Sequence, residues 1–250
     1  MNVENILNNI DFPNLGKAER KLDIMVLTGA GVSAASGIRT FRDNGGLWEE
    51  YSIYEVATPE ALSSNPVLVQ RFYNERRKQL LEVSPNAAHQ AIAGLEEFSK
   101  TTVITQNIDN LHERAGSSNV VHLHGELLKS RSSVNPELIY DIDGWEIKMG
   151  QHCELGSQLR PHVVWFGEAV PMMTVAEEVI ENAGLVLVVG TSLNVYPAAG
   201  LLYNVSEEVP VIVIDPSEID LKPWKNALHL QGKAEEILPE LTDYLSHIFK

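Results

Sequence analysis

The sequence predicts an α/β fold in which a parallel sheet carries helices on both faces and a smaller lobe is inserted into it. Short, fully apolar runs rich in β-branched residues alternate along the chain with segments of helical periodicity. Such runs are typical of parallel strands that are buried on both faces. A glycine-rich turn directly follows the first run, and two polar, turn-rich segments interrupt the alternation. Together these features favour a Rossmann-like sheet with an insertion.

The predicted elements follow from the apolar runs and their spacing. Six runs predict strands over 24–27, 102–104, 120–123, 163–165, 185–189 and 211–214. Apolar residues that recur every three or four positions predict helices over 67–81, 87–98, 175–183 and 237–249. We expect the sheet domain to comprise residues 1–39, 80–127 and 160–250, and the small lobe to comprise residues 40–79 and 128–159. The cleft between them is the natural place for a ligand.

The composition narrows the range of functions. The chain has 250 residues, with 19 Lys and Arg against 34 Asp and Glu and a formal net charge of −15. Because nucleic-acid binding needs clustered cations, we expect no direct contact with nucleic acid. The one cysteine, Cys153, excludes an internal disulfide and an all-cysteine zinc site within one chain. Without a long apolar run or a basic leader, we expect a cytoplasmic protein with no membrane span.

The first chemical motif is segment 28–34, Thr-Gly-Ala-Gly-Val-Ser-Ala, directly after a predicted strand. Gly29 permits a tight turn, Gly31 allows the backbone to approach a pyrophosphate, and the small Ala34 lets a helix pack on the sheet. The motif alone is equally compatible with an ordinary glycine turn. A dinucleotide dehydrogenase would carry an acidic residue at the end of a second strand about twenty residues later. A glycine-broken loop over 39–48 stands there instead, which disfavours a dehydrogenase.

Two polar segments that flank predicted strands can carry chemistry. Gln106, Asn107 and Asp109 follow a strand, at the edge where open α/β sheets bind ligands, and suit a carboxamide and ribose hydroxyls. Taken alone, the segment is better explained as a polar helix cap, with Asp109 or Asn110 as the N-cap residue. His122 and His124 alternate along a strand and so point to one face, where an imidazole can exchange protons near neutral pH. A buried histidine with satisfied hydrogen bonds or a two-histidine metal site is the alternative.

Three later segments complete the set: 160–168, 190–199 and 212–215, each containing or following a predicted strand. Taken in order, the six segments resemble the sirtuins, the NAD-dependent protein lysine deacylases. The motifs that carry the resemblance are G-A-G-x-S, F-R, T-Q-N-I-D, H-G, V-V-x-F-G-E and G-T-S. They extend from about residue 24 to about residue 241, which is nearly the whole chain.

The resemblance implies a reaction and the residues that perform it. In sirtuins the acyl oxygen of an acyl-lysine attacks the ribose carbon of NAD as nicotinamide leaves, and lysine and O-acyl-ADP-ribose are released. His124 matches the histidine that deprotonates a ribose hydroxyl. Gln106, Asn107 and Asp109 match residues around nicotinamide and its ribose, and Asn107 is expected to take part in catalysis. The other implied NAD-binding residues are Gly29, Ala30, Gly31, Ser33, Phe41, Arg42, Gly190, Thr191, Ser192, Asp215 and Ala234.

The resemblance also concerns the acyl group. Residues 72–77 resemble those of sirtuins that remove succinyl and malonyl groups, in which a Tyr and an Arg three residues later read the acyl carboxylate. Here these residues are Tyr73 and Arg76, which share a helix face and offer a hydroxyl and a two-pronged cation. Ala57 resembles the small residue that widens this pocket. Without the family resemblance, the basic segment 76–78 is interpreted as a solvated helix face.

Segment 163–168 resembles the strand that pairs with an extended substrate peptide, a form of strand addition. Its implied substrate-binding residues are Val164, Phe166, Gly167 and Glu168. We therefore expect acyl-lysine side chains of proteins to be the binding partners.

One departure from the family concerns zinc. Most sirtuins carry two Cys-x-x-Cys pairs in the interval that corresponds to 126–158, and here that interval contains only Cys153. Ser130 and Ser133 have the spacing of the first pair, but hydroxyls are poor zinc ligands. We expect no zinc, and we expect an apolar cluster to hold the lobe together instead. Its members are Leu138, Ile139, Tyr140, Ile142, Trp145 and Ile147.

The leading interpretation is an NAD-dependent protein lysine deacylase that removes succinyl, malonyl or acetyl groups. Two alternatives use the same bound NAD, namely transfer of a single ADP-ribose group to a protein and a non-catalytic NAD sensor. The presence of His124 argues against the sensor. The sequence leaves the oligomeric state and the preferred acyl group open.

Overall fold

The computed structural model describes residues 21–40, 50–193 and 195–249. Its strands are β1 (Leu22–Thr28), β2 (Ser99–Thr105), β3 (Val120–His122), β4 (Gly125–Ser132), β5 (Ile139–Asp141), β6 (Leu159–Val163), β7 (Leu185–Val189), β8 (Val211–Asp215) and β9 (Ala227–Gln231). Six of them form one parallel sheet in the order β3-β2-β1-β7-β8-β9. The other three form an antiparallel sheet in the order β5-β4-β6.

The strand order of the parallel sheet reverses between β1 and β7. From β1 the chain continues to β2 and β3 on one side, and it later returns to β7 on the other side. The connections that follow β1 and β7 therefore lead to opposite sides of the sheet, and a crevice lies at the carboxyl ends of these strands. Crevices of this kind are where open α/β sheets bind their ligands.

The helices are α1 (Ile53–Val56), α2 (Pro59–Ser64), α3 (Pro66–Glu82), α4 (Ala87–Gly94), α5 (Leu111–Ala115), α6 (Met173–Glu181) and α7 (Ala234–Phe249). Thr58, Asn65 and Asn86 begin α2, α3 and α4, because their side-chain oxygens accept backbone N–H groups of the first turns. None of the helices in the described part of the chain is long and apolar enough to cross a membrane.

Both faces of the parallel sheet are covered, as its apolar strands predict. Successive side chains of β1 alternate between two cores. Ile24 and Val26 pack on the face covered by α4 and α7, whereas Met25 and Leu27 pack on the face covered by α6 and the 3₁₀ helix Ala198–Asn204. The predicted α/β fold with helices on both faces is therefore confirmed.

The antiparallel sheet forms the inserted lobe together with α1, α2 and α3. The core of this lobe brings Val56, Phe72 and Tyr73 against Leu127 and Trp165. Side chains of α3 also bond to the sheet backbone; for example, the side-chain amide of Gln70 donates to the carbonyl of Leu159 at 2.6 Å. The boundaries expected at residues 40–79 and 128–159 stay a prediction.

One strand prediction was wrong, and three strands, β4, β5 and β9, were not predicted. The run 163–165 belongs to no strand of the parallel sheet; the strand there is β6, which ends at Val163 and pairs antiparallel with β4. A short apolar run indicates burial but not which sheet buries it. Strand β9 was not predicted, because it lies at a sheet edge and its side chains are mostly only partly buried. The turn after β1 leads into a 3₁₀ helix, Ala30–Ser36.

The apolar cluster expected in the small lobe is only partly formed. Ile147 is buried against Cys153 and Leu159, and Tyr140 and Ile142 pack on them. Ile139 and Trp145 are instead 44% and 40% exposed, so they contribute less burial than expected.

Candidate active site

A cavity of about 630 Å³ opens where the strand order reverses, and it extends to the inserted lobe. Residues from after β1, β2, β7 and β8 line one end, and residues of α3 and the segment after β6 line the other. The predicted site residues that line it are Gly29, Ala30, Gly31, Ala57, Tyr73, Arg76, Gln106, Asn107, His124, Val164, Phe166, Gly167, Glu168, Gly190, Thr191, Ser192, Asp215 and Ala234. Phe41 and Arg42 lie outside the described residues.

The glycines of the first motif bring two loops into backbone contact. The N–H of Gly29 donates to the carbonyl of Val189 at 3.0 Å, and the N–H of Gly31 donates to the carbonyl of Gly190 at 2.9 Å. A Cβ on Gly31 would lie 2.7 Å from the Cα of Gly190, which is too close. Gly190 itself has φ +59°, in the left-handed region. These glycines therefore close the floor of the cavity, a role that the sequence analysis did not assign to them.

The two amide side chains of the second motif lie at the cavity wall with defined orientations. The side-chain amide of Gln106 donates to Oγ1 of Thr191 at 3.1 Å. Asn107 is 5% exposed, and its Nδ2 donates to the carbonyl of Gly29 at 3.1 Å and to Oγ of Ser33 at 3.2 Å. Because both N–H groups of Asn107 are used, its Oδ1 is the atom left to accept from a ligand.

Ser33 and Asp109 lie behind this wall and not in it. Oγ of Ser33 donates to Oδ2 of Asp109 at 3.0 Å, while Oδ1 of Asp109 accepts from the N–H of Leu111 at 3.1 Å. Burial raises the pKa of the Asp109 carboxyl, although these two hydrogen bonds oppose the rise. Asp109 thus accepts the first N–H of α5, although the N-cap residue of that helix is Asn110, and Ser33 and Asp109 support Asn107 from behind. His89 extends this network, with Nε2 3.3 Å from Oγ of Ser33.

His124 lines the cavity beside the same segment. Its Nδ1 lies 2.9 Å from the carbonyl oxygen of Gln106, so Nδ1 carries the proton and donates it. Burial lowers the pKa of His124, although this hydrogen bond opposes the fall. The ring is therefore neutral near physiological pH, with Nε2 unprotonated and able to act as a base. The described residues contain no group of three or more His, Cys, Asp or Glu that could hold a metal, so no such group there includes His122 or His124.

The far end of the cavity combines aromatic rings with one cation. The indole N–H of Trp165 donates to the phenol oxygen of Tyr73 at 2.9 Å. The guanidinium of Arg76 lies 3.6 Å from the ring centroid of Phe72, and one of its N–H groups donates to the carbonyl of Phe72 at 2.9 Å. Nε of Arg76 is buried without a hydrogen-bond partner in the structure. Burial lowers the pKa of Arg76 and raises that of the Tyr73 phenol.

Outside the family resemblance, residues 76–78 were interpreted as a solvated helix face. Of these three residues, only Lys78 is exposed. Arg77 is fully buried, and it donates to the backbone carbonyls of Leu127 and Trp145 and to Oδ1 of Asn74. The side chain of Arg77 thereby ties α3 to the antiparallel sheet. Apart from the family resemblance, the sequence carried no signal that separates the buried Arg77 from Arg76, its neighbour in the cavity.

The segment after β6 is ordered by bonds within the chain. Its Val164 N–H donates to the carbonyl of His124 at 2.9 Å, and its Phe166 N–H donates to the carbonyl of Ala57 at 3.0 Å. The Glu168 carboxylate accepts from Arg160 at 2.7 Å and from Arg131 at 3.1 Å. Two cations thus already engage Glu168, whose side chain orders the loop that lines the cavity.

Two contributors to this region were not among the predicted site residues. Trp165 lines the cavity, and the guanidinium carbon of Arg160 lies 3.4 Å from the ring centroid of Trp165. Both residues stand in segment 160–168. The sequence signal was the motif itself, but only the fold brings the Trp165 ring against Tyr73 of α3.

Comparison with known proteins decides the family. The family model described as "Sir2 family" matches residues 29–197, more than half of the chain. The chain belongs to the Sir2 family. A relative of this Sir2 protein in Bacteroides thetaiotaomicron, named NAD-dependent protein deacylase, is 52% identical over 228 residues, covering 89% of this chain and 97% of the relative. A relative of the same name in Helicobacter pylori is 44% identical, covering 90% and 97%.

Solved structures support the same assignment. A Sir2 homologue mutant in complex with ADP-ribose is 38% identical, has a TM-score of 0.86 and covers 99% of this chain and 97% of its own. A Sir2 homologue in complex with NAD is 38% identical with a TM-score of 0.84, covering 96% and 94%. A Sir2 protein in complex with a deacetylated peptide and an acetyl-ADP-ribose is 30% identical with a TM-score of 0.81, covering 98% of each chain.

The cavity of this Sir2 protein fits a dinucleotide in size and lining. Its volume of about 630 Å³ lies within the range of pockets that enclose organic ligands. Small residues line the end at the parallel sheet, and Asp215 stands there at the carboxyl end of β8. Asp215 and the free Oδ1 of Asn107 are acceptors for the hydroxyl groups of such a ligand.

The residues around Cys153 of this Sir2 protein do not fit a zinc ion. Cys153 Sγ lies 3.4 Å from Oγ of Ser132 and 3.1 Å from Oγ of Ser157, and the two hydroxyl oxygens lie 2.9 Å apart. One thiol and two hydroxyls do not make a tetrahedral zinc site. The three side chains instead bond to one another and join the end of β4 to the loop before β6.

Proposed function

We propose that this Sir2 protein is an NAD-dependent protein lysine deacylase that favours acidic acyl groups such as succinyl and malonyl. The observation that carries the acidic preference is the position of Arg76. Its guanidinium lies in the cavity wall, and no carboxylate of the described residues forms an ion pair with it. A half-buried cation without a counter-ion is costly, and a carboxylate on the ligand would remove that cost.

Tyr73 adds a second group for the same carboxylate. Its phenol oxygen accepts from Trp165, so its own O–H remains to donate. The raised pKa of Tyr73 keeps this proton in place over the physiological range. Ala57, also in the wall, leaves room for the longer acyl chain. Together, Arg76 and Tyr73 offer a charged and a neutral donor at one end of the cavity.

The proposed base is His124. NAD supplies a ribose whose bond to nicotinamide breaks and whose hydroxyl needs a proton acceptor. The carbonyl of Gln106 holds Nδ1–H of His124, which leaves Nε2 as that acceptor. The lowered pKa of His124 supports the role, because the ring stays neutral without help from a carboxylate. Asn107, through Oδ1, is positioned to orient the ligand in the same wall.

A peptide panel with matched variants tests the proposal. Wild type, Arg76→Ala and Arg71→Ala are incubated with NAD and with succinyl-, malonyl- or acetyl-lysine peptides, and nicotinamide release is measured. Arg71 is the control, because it lies on the same helix but is exposed and pairs with Glu75 at 3.9 Å. We expect Arg76→Ala to reduce desuccinylation by about 100-fold while deacetylation changes by less than about threefold. Arg71→Ala is expected to change neither.

Three results would contradict the proposal. An equal loss of both activities in Arg76→Ala would mean that Arg76 is structural. Label retained from NAD on the protein substrate, without deacylation, would indicate ADP-ribose transfer. NAD binding without any nicotinamide release would indicate a sensor.

A further inference from the structure

The imidazole of His122 lies between two acceptors at the end of β3. Its Nδ1 is 3.2 Å from the backbone carbonyl oxygen of Asn107, and its Nε2 is 2.6 Å from Oε1 of Glu113. The His122 side chain is 9% exposed. Neither partner oxygen can donate to the ring, so both hydrogen bonds require an N–H from His122.

The number of N–H groups that His122 must donate decides the charge of its ring. A neutral imidazole carries one N–H, so it can donate to Asn107 or to Glu113 but not to both. The remaining nitrogen would then direct its lone pair at an oxygen. Only the imidazolium form donates to both. His124 has the opposite requirement, because Gln106 takes its single N–H and its other nitrogen must stay free to act as a base.

We propose that His122 is a positioning residue that works as an imidazolium clamp, holding the Asn107 carbonyl with Glu113 as its counter-ion. The proposal rests on the proposed roles of His124 and Asn107. The clamp completes the set of bonds that fix Asn107, whose N–H donates to Oγ1 of Thr105 at 3.0 Å. With its backbone held on both sides and Nδ2 bonded, Asn107 presents Oδ1 to the cavity in one orientation.

The charges around His122 agree with this form. Burial alone would lower its pKa, but the hydrogen bond and charge of Glu113, the Asn107 carbonyl and the charge of Glu126 together raise the pKa. The buried Asp109 adds a further acidic group nearby, and the neighbouring His112 is neutral because burial lowers its pKa to about 3. The hydrogen bond to His122 in turn lowers the pKa of Glu113, although burial opposes this.

Two substitutions separate the two bonds of the clamp. Counted from Cβ, the amide nitrogen of Asn stands where Nδ1 of His stands, and that of Gln stands where Nε2 stands. His122→Asn therefore keeps a donor for the Asn107 carbonyl, whereas His122→Gln keeps a donor for Glu113. His247 serves as the control, because it is an exposed histidine that lies 4.0 Å from Asp243.

The first experiment measures kcat against pH with NAD and the preferred acyl peptide. We expect His122→Gln to be at least about tenfold slower than His122→Asn at pH 7, since it loses a charge-assisted bond to the reacting segment. Wild type should lose activity as the pH rises through the pKa of His122. Glu113→Gln should move that loss to lower pH, and His122→Asn should abolish it. The profile of His247→Gln should match wild type.

Two readouts do not depend on turnover. NMR titration of His122 should give a pKa above the ordinary histidine value in wild type and a lower one in Glu113→Gln, and NAD should bind more weakly to His122→Gln than to His122→Asn. If no acyl peptide is turned over but these two results hold, the proposed function fails and the clamp stands. Equal effects of the Asn and Gln variants, or a pKa of His122 below the ordinary value, would overturn the clamp.

Discussion

The indole N–H of Trp165 donates to the phenol oxygen of Tyr73 at 2.9 Å, joining the loop after β6 to helix α3 in the cavity wall. Both side chains are almost completely buried, with 2% and 4% of their surfaces exposed. Because the phenol oxygen of Tyr73 accepts this bond, the O–H proton of Tyr73 can still be donated to another group. It therefore links the packing of the inserted lobe to the chemistry proposed for the acyl end of the cavity.

Tyr73→Phe tests this link. The substitution leaves a buried indole N–H without an acceptor, so we expect it to lower the free energy of unfolding by about 1–3 kcal/mol. The double variant Tyr73→Phe, Trp165→Phe removes both partners and should cost less than the sum of the two single changes. Urea unfolding of the four proteins measures the coupling. Strict additivity would show that the bond contributes nothing to stability.

The contact between Gly31 and Gly190 predicts that Gly190→Ala destabilises the protein more than Gly144→Ala does. Gly190→Ala would place a Cβ 2.4 Å from the backbone nitrogen of Val32, whereas Gly144 has nothing within 4 Å. Both glycines have positive φ, +59° and +80°, so the backbone strain of about 1–2 kcal/mol is shared. We expect Gly144→Ala to lose about that amount and Gly190→Ala to lose several times more, with weakened NAD binding. Similar melting temperatures for the two variants would contradict the close contact.

Two buried histidines predict how stability depends on pH. Burial lowers the pKa of His89 to about 4 and that of His112 to about 3, and their rings lie 4.9 Å apart. In the unfolded chain both titrate near the ordinary value of about 6.5. The unfolded state therefore binds more protons below that pH, so stability is complete above it and falls as the pH drops towards 4. The loss from His89 alone is on the order of 3 kcal/mol at pH 4.

Urea midpoints between pH 7 and pH 4 measure this dependence. His112→Gln keeps an amide nitrogen in the place of Nε2, which lies 3.1 Å from Oγ1 of Thr28, but cannot take up a proton. We expect a shallower decline of stability with falling pH in this variant, whatever its stability at pH 7. An unchanged slope would show that His112 is protonated without cost in the folded protein.

The proposed base gives a further prediction. His124→Ala removes a side chain that lines the cavity but leaves the glycine floor and Asn107 intact, so we expect NAD to bind while nicotinamide release with acyl peptides stops. In wild type, activity should rise with pH through the lowered pKa of His124, because only the neutral ring accepts a proton. Calorimetric NAD binding and a rate profile from pH 4.5 to pH 7.5 measure the two effects. Unchanged turnover in His124→Ala would remove it from the mechanism.

The absence of zinc that we expect for the inserted lobe predicts indifference to chelators. We expect treatment with EDTA to leave the unfolding transition and the activity unchanged. Ser132→Ala should lower the free energy of unfolding by about 1–3 kcal/mol, because Oγ of Ser132 accepts the N–H groups of Val134 and Asn135 and contacts Ser157. Ser63→Ala is the control, since its hydroxyl makes only an exposed bond within α2. Metal analysis that finds one zinc per chain would contradict this prediction.

The sequence predicted the strands correctly where both faces of a strand are buried. Runs such as 185–189 and 211–214 are apolar at every position because helices cover both faces of the strand, and the structure places β7 and β8 there. Strand β9 was missed because an edge strand needs no such run. The helix that follows β1 is a 3₁₀ helix, a distinction that the sequence pattern did not predict.

The sequence by itself determined where the buried strands lie and which polar segments follow them, because apolar runs and motif spacing are properties of the chain. Through its resemblance to the sirtuins it also predicted His124, Asn107 and Arg76 as site residues, and all three line one cavity. Only the tertiary structure decided what each side chain contacts: that Ser33 and Asp109 support the wall from behind, and that two arginines occupy Glu168. Likewise, only the structure placed Glu113 against His122. Hydrogen-bond partners and burial arise between segments distant in sequence, so they set charge and orientation in a way that no local pattern encodes.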